Sequence, residues 1–155
     1  AKVESFVTTA FPHLTSNDNA TQVVAAVAEK TFLEKAFLLH ELFTTDGCIN
    51  ANRKSRHLYD LCKMLEAGIA DSAIPNDELW EAIRHHREVF TSIRDVDYTP
   101  DVRKRIVLTP PESVMEEWKN DYDTMVANMI YEDKVPTFSD ILGEVAKIES
   151  MFKDL

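Results

Sequence analysis

The sequence predicts a mainly α protein, a helical bundle of about five helices that follows a short N-terminal β segment. After residue 29, apolar residues recur at helical spacing, and prolines and helix-capping residues separate these stretches. Only three glycines are present to make tight turns. With 155 residues, 45% of them hydrophobic, the chain is long enough to bury a core. We therefore assign residues 1–28 to a strand-and-loop segment and residues 29–155 to a helical domain.

The N-terminal segment contains two stretches that favour strands. Residues 3–9 are β-prone and partly alternating, and residues 11–19 contain Pro12 and a polar run that predicts a loop. Residues 21–28 combine valines, which favour a strand, with alanines, which permit a helix. We interpret this second stretch as a strand.

The first three helices are predicted from their apolar patterns. Residues 30–44 carry an apolar surface too wide for a surface helix, which predicts a central, buried helix. A second helix is predicted over residues 55–67. A third is predicted from a cap at Asn76 to about Arg94, with its inward face formed by Leu79, Ile83 and Phe90.

Two more helices are predicted in the last third of the chain. Residues 109–112 read Thr-Pro-Pro-Glu, a pattern typical of a helix start, and predict a helix to about Ile130. Its apolar stripe is Met115, Trp118, Tyr122, Met125 and Met129. The last helix is predicted to start at Pro136 and Thr137, with its core face formed by Phe138, Ile141, Leu142, Val145, Ile148 and Phe152.

The charge balance excludes some functions and leaves others open. A net charge of −10 argues against broad, sequence-independent binding of nucleic acid. However, nine of the 17 Lys and Arg residues fall in three groups, which would form a cationic face if they met in space: Arg53, Lys54 and Arg56; Arg84, Arg87 and Arg94; Arg103, Lys104 and Arg105. Two cysteines make neither a disulfide framework nor a zinc site, so we expect a reducing, cytoplasmic compartment. No apolar run is long enough for a membrane span.

Lys35 is the first candidate site residue. Its helix neighbours at i−3, i+3 and i+4 are the apolar Phe32, Leu38 and Leu39. The lysine is therefore either one that extends its charge to the edge of an apolar surface or a point charge directed at a phosphate.

Residues 53–60 are the second candidate. Arg53 and Arg56 lie at the start of a predicted helix, where the helix dipole disfavours cations, so we expect an anion there, such as phosphate. Asp60 lies one turn after Arg56. The pair is either an exposed i,i+4 salt bridge of little value to stability, or an anion clamp beside a carboxylate that orients a lysine, a metal or a base.

Other polar residues give weaker signals. Arg84 and Arg87 flank two adjacent histidines and are either a solvated face or a patch that contacts nucleic acid. His40 and His57 could act as acid–base groups, but lone helical histidines are more often structural. Asp95-Val96-Asp97 has the form of a metal-binding pair, but it follows a helix without a glycine-rich loop. We interpret it as a turn and assign no metal ligand.

Two motifs together resemble a known family. Residues 31–40, Thr-Phe-Leu-Glu-Lys-Ala-Phe-Leu-Leu-His, and residues 55–61, Ser-Arg-His-Leu-Tyr-Asp-Leu, resemble successive helices of the AbiEii-type nucleotidyltransferase toxins. The tail is similar as well, with an arginine-rich helix, a helix after Pro-Pro and a closing helix after Pro-Thr-Phe. The resemblance covers about residues 29–155.

The resemblance implies a function and a site. Such proteins are toxins of toxin–antitoxin and phage-abortive systems, and they transfer nucleotides, with tRNA ends as known acceptors. It implies that Lys35 and Asp60 are catalytic and that Arg56 and Arg53 contact phosphate. It also implies Mg²⁺ and a nucleoside triphosphate as cofactors of the parent protein, an antitoxin protein as partner and tRNA as acceptor.

The chain departs from the family pattern in its first part. The glycine-rich turn and the metal-binding Asp-x-Asp of the nucleotidyltransferase core have no match, and residues 1–28 resemble only the last strands of that core. We therefore expect a C-terminal fragment that is inactive alone and holds no cofactor, and its own standing as an enzyme stays open.

Three hypotheses follow. The chain is the helical half of a nucleotidyltransferase, a non-catalytic module that binds an antitoxin or RNA, or a domain that serves only stability. The first requires Lys35 and Asp60 to lie close together, facing a cleft that also contains Arg56.

Overall fold

Helices make up most of the fold, as the sequence predicts. The computed structural model describes residues 1–13 and 20–155. The α-helices, in chain order, are α1 (Phe6–Ala10), α2 (Ala28–Thr44), α3 (Arg56–Glu66), α4 (Ile69–Ala73), α5 (Asp77–Phe90), α6 (Met115–Met129) and α7 (Phe138–Lys153). Two 3₁₀ helices, Pro100–Arg105 and Glu112–Val114, precede α6. The predicted mainly α class is confirmed.

The N-terminal segment is less extended than predicted. Strands β1 (Lys2–Val3) and β2 (Thr21–Gln22) pair antiparallel, with Lys2 opposite Gln22. The strand predicted over residues 3–9 is wrong because α1 occupies most of it, with the Ser5 hydroxyl accepting from the Val7 backbone N–H at 3.2 Å. The strand predicted over residues 21–28 is correct only for β2. Most of the loop predicted over residues 11–19 lies outside the described residues.

Helix α2 forms the centre of the bundle. Its buried residues cover somewhat more than half of the helix circumference: Phe32, Leu33, Ala36, Phe37, Leu39, His40, Glu41 and Phe43. It packs against α3, α4 and α5, while α7 packs on α3 and on the 3₁₀ helix Pro100–Arg105. The prediction of a central buried helix is confirmed, because an apolar surface this wide must be covered by several neighbours.

Helix α5 begins as predicted and ends early. The Asn76 side chain accepts from the Leu79 backbone N–H at 3.0 Å, which confirms the cap. The helix ends at Phe90 rather than at Arg94, because Ser92 (φ 42°) and Asp95 (φ 66°) adopt left-handed backbone angles that no helix continues through. The predicted inward position of Phe90 is wrong, since 75% of this residue is exposed.

Helix α6 has the predicted buried face but a different start. The Thr109 hydroxyl donates to Glu149 Oε1 at 3.1 Å instead of capping a helix, and α6 begins only at Met115. Trp118, Tyr122 and Met125 are buried as predicted, whereas Met129 is exposed. The predicted cap at Thr109 is therefore wrong, because its hydroxyl is used to hold the preceding loop to α7.

Helix α7 closes the bundle. A capping box starts it, in which Thr137 and Asp140 each bind the other's backbone N–H. Five of the six residues predicted for its core face are buried: Phe138, Ile141, Val145, Ile148 and Phe152. Leu142 is partly buried against the same core. The short helix α4 was not predicted.

Within residues 1–13 and 20–155, no helix has both the length and the hydropathy that a membrane span requires.

Burial separates two phenylalanines that the sequence treats alike. Phe37 is fully buried, with its ring centroid 5.2 Å from that of Trp80, whereas Phe90 is exposed. We expect Phe37→Ala to lower the free energy of unfolding by about 3–5 kcal/mol because it leaves a cavity in the core. The control Phe90→Ala should change it by less than about 0.5 kcal/mol. Urea titration followed by circular dichroism measures both, and equal effects would contradict the packing described for α2.

Candidate active site

Lys35 and Asp60 form an ion pair between α2 and α3. The Lys35 Nζ lies 2.7 Å from Asp60 Oδ2, and the side chains are 22% and 40% exposed. The Lys35 ammonium is therefore partly buried and has a carboxylate partner. Asp60 does not pair with Arg56, so the exposed i,i+4 salt bridge that the sequence permitted is not formed. The two residues lie together, as the first hypothesis requires.

His57 is a third member of this cluster. Its Nδ1 lies 3.5 Å from the Lys35 Nζ, and because an ammonium only donates, the ring nitrogen must be the acceptor. Burial, followed by the charges of Lys35 and Arg56, lowers the pKa of His57 to about 4. The ring is thus neutral at pH 7 and helps direct the ammonium toward Asp60. Sequence alone gave this histidine no partner, because Lys35 is on another helix.

The turn before α3 is held by a carboxylate from α6. Arg53 has a left-handed backbone angle (φ 58°), and its N–H and the Ser55 N–H donate to the two oxygens of Asp121 at 2.7 and 3.0 Å. The Ser55 hydroxyl also donates to Asp121, at 2.5 Å. Burial opposes ionisation of Asp121, but these hydrogen bonds outweigh it and lower its pKa. The sequence predicts an anion at this helix start. For the backbone N–H groups, that anion is the carboxylate of Asp121.

The side chains of Arg53 and Arg56 remain available. Both line a groove of about 230 Å³ between the start of α3 and α6, which we call the arginine groove; it is also lined by Asp121, Met125 and Met129. Within the described part of the chain, no carboxylate lies at ion-pair distance from either guanidinium. Lys35 lines a separate depression with Arg87. A single cleft shared by Lys35, Asp60 and Arg56 stays a prediction.

Arg84 and Arg87 are used in internal ion pairs. Arg84 is buried and binds Glu81, Glu88 and the Tyr98 carbonyl. Arg87 donates from Nε to Glu41 Oε1 at 2.8 Å and also pairs through Nη2 with the other oxygen. Contact of these two arginines with nucleic acid stays a prediction.

The three basic groups do not form one unpaired cationic face. The Arg103 guanidinium pairs with Asp77, and that of Arg105 with Asp97, each at 2.5 Å. Asp97, from the Asp-x-Asp sequence interpreted as a turn, also accepts from the Thr99 N–H at 2.8 Å. Among the described residues of the three basic groups, Arg53 and Arg56 are therefore the two arginines that line a groove and form no ion pair.

Comparison with known proteins identifies the family. A family model described as nucleotidyl transferase AbiEii toxin, Type IV TA system, matches residues 1–144. The chain belongs to this family. The AbiEii match includes the N-terminal segment as well as the helical domain in which the two motifs were found. No curated protein and no solved structure that was compared matches the chain.

Family membership implies a partner and relates the two motifs to each other. AbiEii proteins are the toxins of type IV toxin–antitoxin systems, so an antitoxin is the partner that membership implies. Lys35 and Asp60, the two residues that the AbiEii resemblance marks as catalytic, contact each other in the structure. Their catalytic role stays a prediction.

The residues that the structure describes do not form a metal site from protein side chains alone. Among the described residues there is no cluster of three or more His, Cys, Asp or Glu side chains able to hold a metal ion. One oxygen of Asp60 is already occupied by Lys35.

Sequence reasoning missed two residues that shape the site. Asp121 is 68 positions from Arg53 and has no local signal of its role. Glu41 was overlooked because it lies in the apolar α2 stretch, yet it is buried and accepts from both Arg87 and the Tyr98 hydroxyl. A charged residue in a helix predicted to be buried all round was the signal that could have found Glu41.

The Asp121 contacts make a stability prediction. Asp121→Ala leaves two backbone N–H groups and a hydroxyl without their acceptor, so we expect the free energy of unfolding to fall by about 1–3 kcal/mol. The matched control is Asp123→Ala, which removes an exposed carboxylate from the same helix. Chemical denaturation of both variants provides the measurement; equal stabilities would mean that Asp121 does not hold the turn.

His57 makes a pH prediction. The folded protein keeps this ring neutral down to about pH 4, whereas the unfolded chain protonates it near the ordinary histidine pKa of about 6.5. The unfolded state therefore binds more protons in this window, and lowering the pH from 6.5 to 4 costs stability. We expect His57→Gln to remove part of that loss, measured as the difference between the two unfolding curves at each pH. His85→Gln, on the exposed face of α5, is the control, and a similar change there would argue against a special environment for His57.

Proposed function

We propose that this chain provides the helical side of an AbiEii nucleotidyltransferase site, with Lys35 and Asp60 as its catalytic pair. The contact between Lys35 and Asp60 at 2.7 Å supports the proposal most directly. The reaction would transfer a nucleotide from a nucleoside triphosphate to an acceptor, for which a tRNA end is our proposal. A cytoplasmic location stays a prediction.

The chemistry of the pair fits phosphoryl-type transfer. Such reactions depend mainly on positioning and on stabilising charge at the phosphate oxygens. Asp60 and neutral His57 hold the Lys35 ammonium in one place, so little reorganisation is needed when an anionic substrate arrives. The pair is partly exposed, so it contributes little to the free energy of folding. The same exposure leaves the Lys35 ammonium accessible to a substrate.

The metal would be held elsewhere. We propose that the metal-binding aspartates and the triphosphate site belong to a nucleotidyltransferase core, whose glycine-rich turn and Asp-x-Asp have no match in this sequence. In this arrangement the chain alone is inactive. The antitoxin is proposed to act on the assembled toxin.

The decisive experiment measures nucleotide transfer in the natural full-length protein. With radiolabelled nucleoside triphosphates and tRNA, we expect Lys35→Met and Asp60→Asn each to lower the rate at least about 100-fold, without a matching loss of melting temperature. Lys30→Met is the matched control, since Lys30 is also on α2 and pairs with Glu34. Near wild-type transfer by both site variants would refute the proposed roles and favour a stability function for the motifs.

A non-catalytic binding module is the second candidate. The two arginines without ion pairs favour it, since they could hold RNA or an acidic segment of an antitoxin. This candidate predicts that the full-length wild-type protein transfers no nucleotide, and that Arg53→Ala/Arg56→Ala abolishes binding. Transfer that depends on Lys35 would exclude it.

A further inference from the structure

We propose that the arginine groove binds one nucleotide unit, with its phosphate on Arg53 and Arg56 and its base against Met125 and Met129. This inference rests on the proposed function and adds a base-binding surface to it. The groove lies between the start of α3 and α6, beside the catalytic pair but separate from the depression that Lys35 lines.

The charges at the groove call for an anion. Arg53 and Arg56 have no carboxylate within ion-pair distance among the described residues. Asp121 is the carboxylate that lines the groove, and its two oxygens already accept from the Arg53 and Ser55 N–H groups and the Ser55 hydroxyl. Asp121 therefore holds the turn that presents the two arginines and does not neutralise their side chains. A phosphate would fit this place, because a guanidinium binds its oxygens in a bidentate manner.

The apolar surface of the groove comes from two methionines of α6, beside the polar Ser55, Thr124 and Asn128 that also line it. Met125 and Met129 lie one turn apart on α6, and Met129 is 55% exposed although it belongs to the apolar stripe of that helix. A thioether makes favourable contacts with aromatic rings, and flexible methionines adapt to ligands of different shape. A nucleobase supplies such a ring at a short distance from its own phosphate. Inorganic phosphate alone would leave this surface uncovered.

The position of the groove connects it to the reaction. Arg56 and Asp60 are four residues apart on α3, so their Cβ atoms are about 6 Å apart on one helix face. The neighbouring His57 lies 3.5 Å from the Lys35 Nζ, and the charges of both Lys35 and Arg56 lower its pKa. A nucleotide whose phosphate contacts Arg56 is thus next to the Lys35–Asp60 pair.

The overall charge limits the size of the ligand. A protein of net charge −10 repels a long polyanion outside its local cationic sites. A single nucleotide, or the end of a strand, needs only the two arginines. The nucleotide could be the donor triphosphate or the terminal residue of an RNA acceptor, and these share the chemistry that the groove recognises.

Binding measurements on the chain of this sequence test the inference. Fluorescence anisotropy would follow a fluorescent ATP analogue, with ATP, inorganic triphosphate, adenosine and a short single-stranded RNA as competitors. We expect ATP or the RNA to compete better than inorganic triphosphate alone or adenosine alone. Triphosphate would contact only the two arginines, and adenosine would contact only the methionines. Arg53→Gln and Arg56→Gln should each weaken binding about 10-fold and reduce its salt dependence.

Further variants separate the two halves. Met129→Ser, at an exposed position, should weaken the binding of ATP or RNA and leave the affinity for inorganic triphosphate unchanged. Arg94→Gln is the matched control, because Arg94 is exposed and lies outside the groove. Effects confined to ATP would identify the donor nucleotide, and effects confined to RNA would identify the acceptor end.

The outcomes distinguish this inference from the proposed function. Absence of saturable binding by the wild-type chain, or equal affinities of wild type, Arg56→Gln and Met129→Ser with unchanged melting temperatures, would overturn the groove as a nucleotide site. Transfer by the full-length protein that is lost in Lys35→Met would still stand in that case. Conversely, groove-dependent binding without Lys35-dependent transfer would support the groove and remove the catalytic proposal.

Discussion

Burial of the central helix α2 determines how the neighbouring helices are arranged. Its buried residues extend over more than half of the helix circumference, so no single neighbour can cover them, and α3, α4 and α5 all pack against it. Removing this much apolar surface from water provides a large share of the folding free energy. A polar residue on the covered part of α2 then needs a partner from a neighbouring helix or loop.

Two charged residues of α2 differ in how far their ion pairs are buried. Glu41 is 1% exposed and receives hydrogen bonds from Arg87 and Tyr98 on the α5 side, so its charge is satisfied within the protein. Lys35, six residues earlier, meets Asp60 on the α3 side at a seam that remains partly open. A partly exposed ion pair contributes little to stability, so stability is a weak reason for placing one here. The same openness is what a substrate needs.

Electrostatics also explains the basic start of α3. Cations at a helix N-terminus are unfavourable, and the cost is offset here by Asp121, which brings a negative charge to the backbone N–H groups of the preceding turn. Because that carboxylate is used by the backbone, the guanidinium groups of Arg53 and Arg56 stay available at the rim of the groove. The local fold thus separates the anion that stabilises the turn from the anion that the side chains could bind.

The sequence was enough to predict the helical class, the central place of α2, the Asn76 cap and the family, because local periodicity, capping chemistry and two motifs carry that information. It misplaced Phe90 and the start of α6, since the left-handed residues after α5 and the contact of Thr109 with Glu149 leave no reliable local signal. Packing of the helices pairs Asp60 with Lys35 rather than with Arg56 and brings Asp121 to the turn before α3, and no local pattern predicts either contact. These pairings join residues 25 to 68 positions apart, and their geometry is set by helix packing.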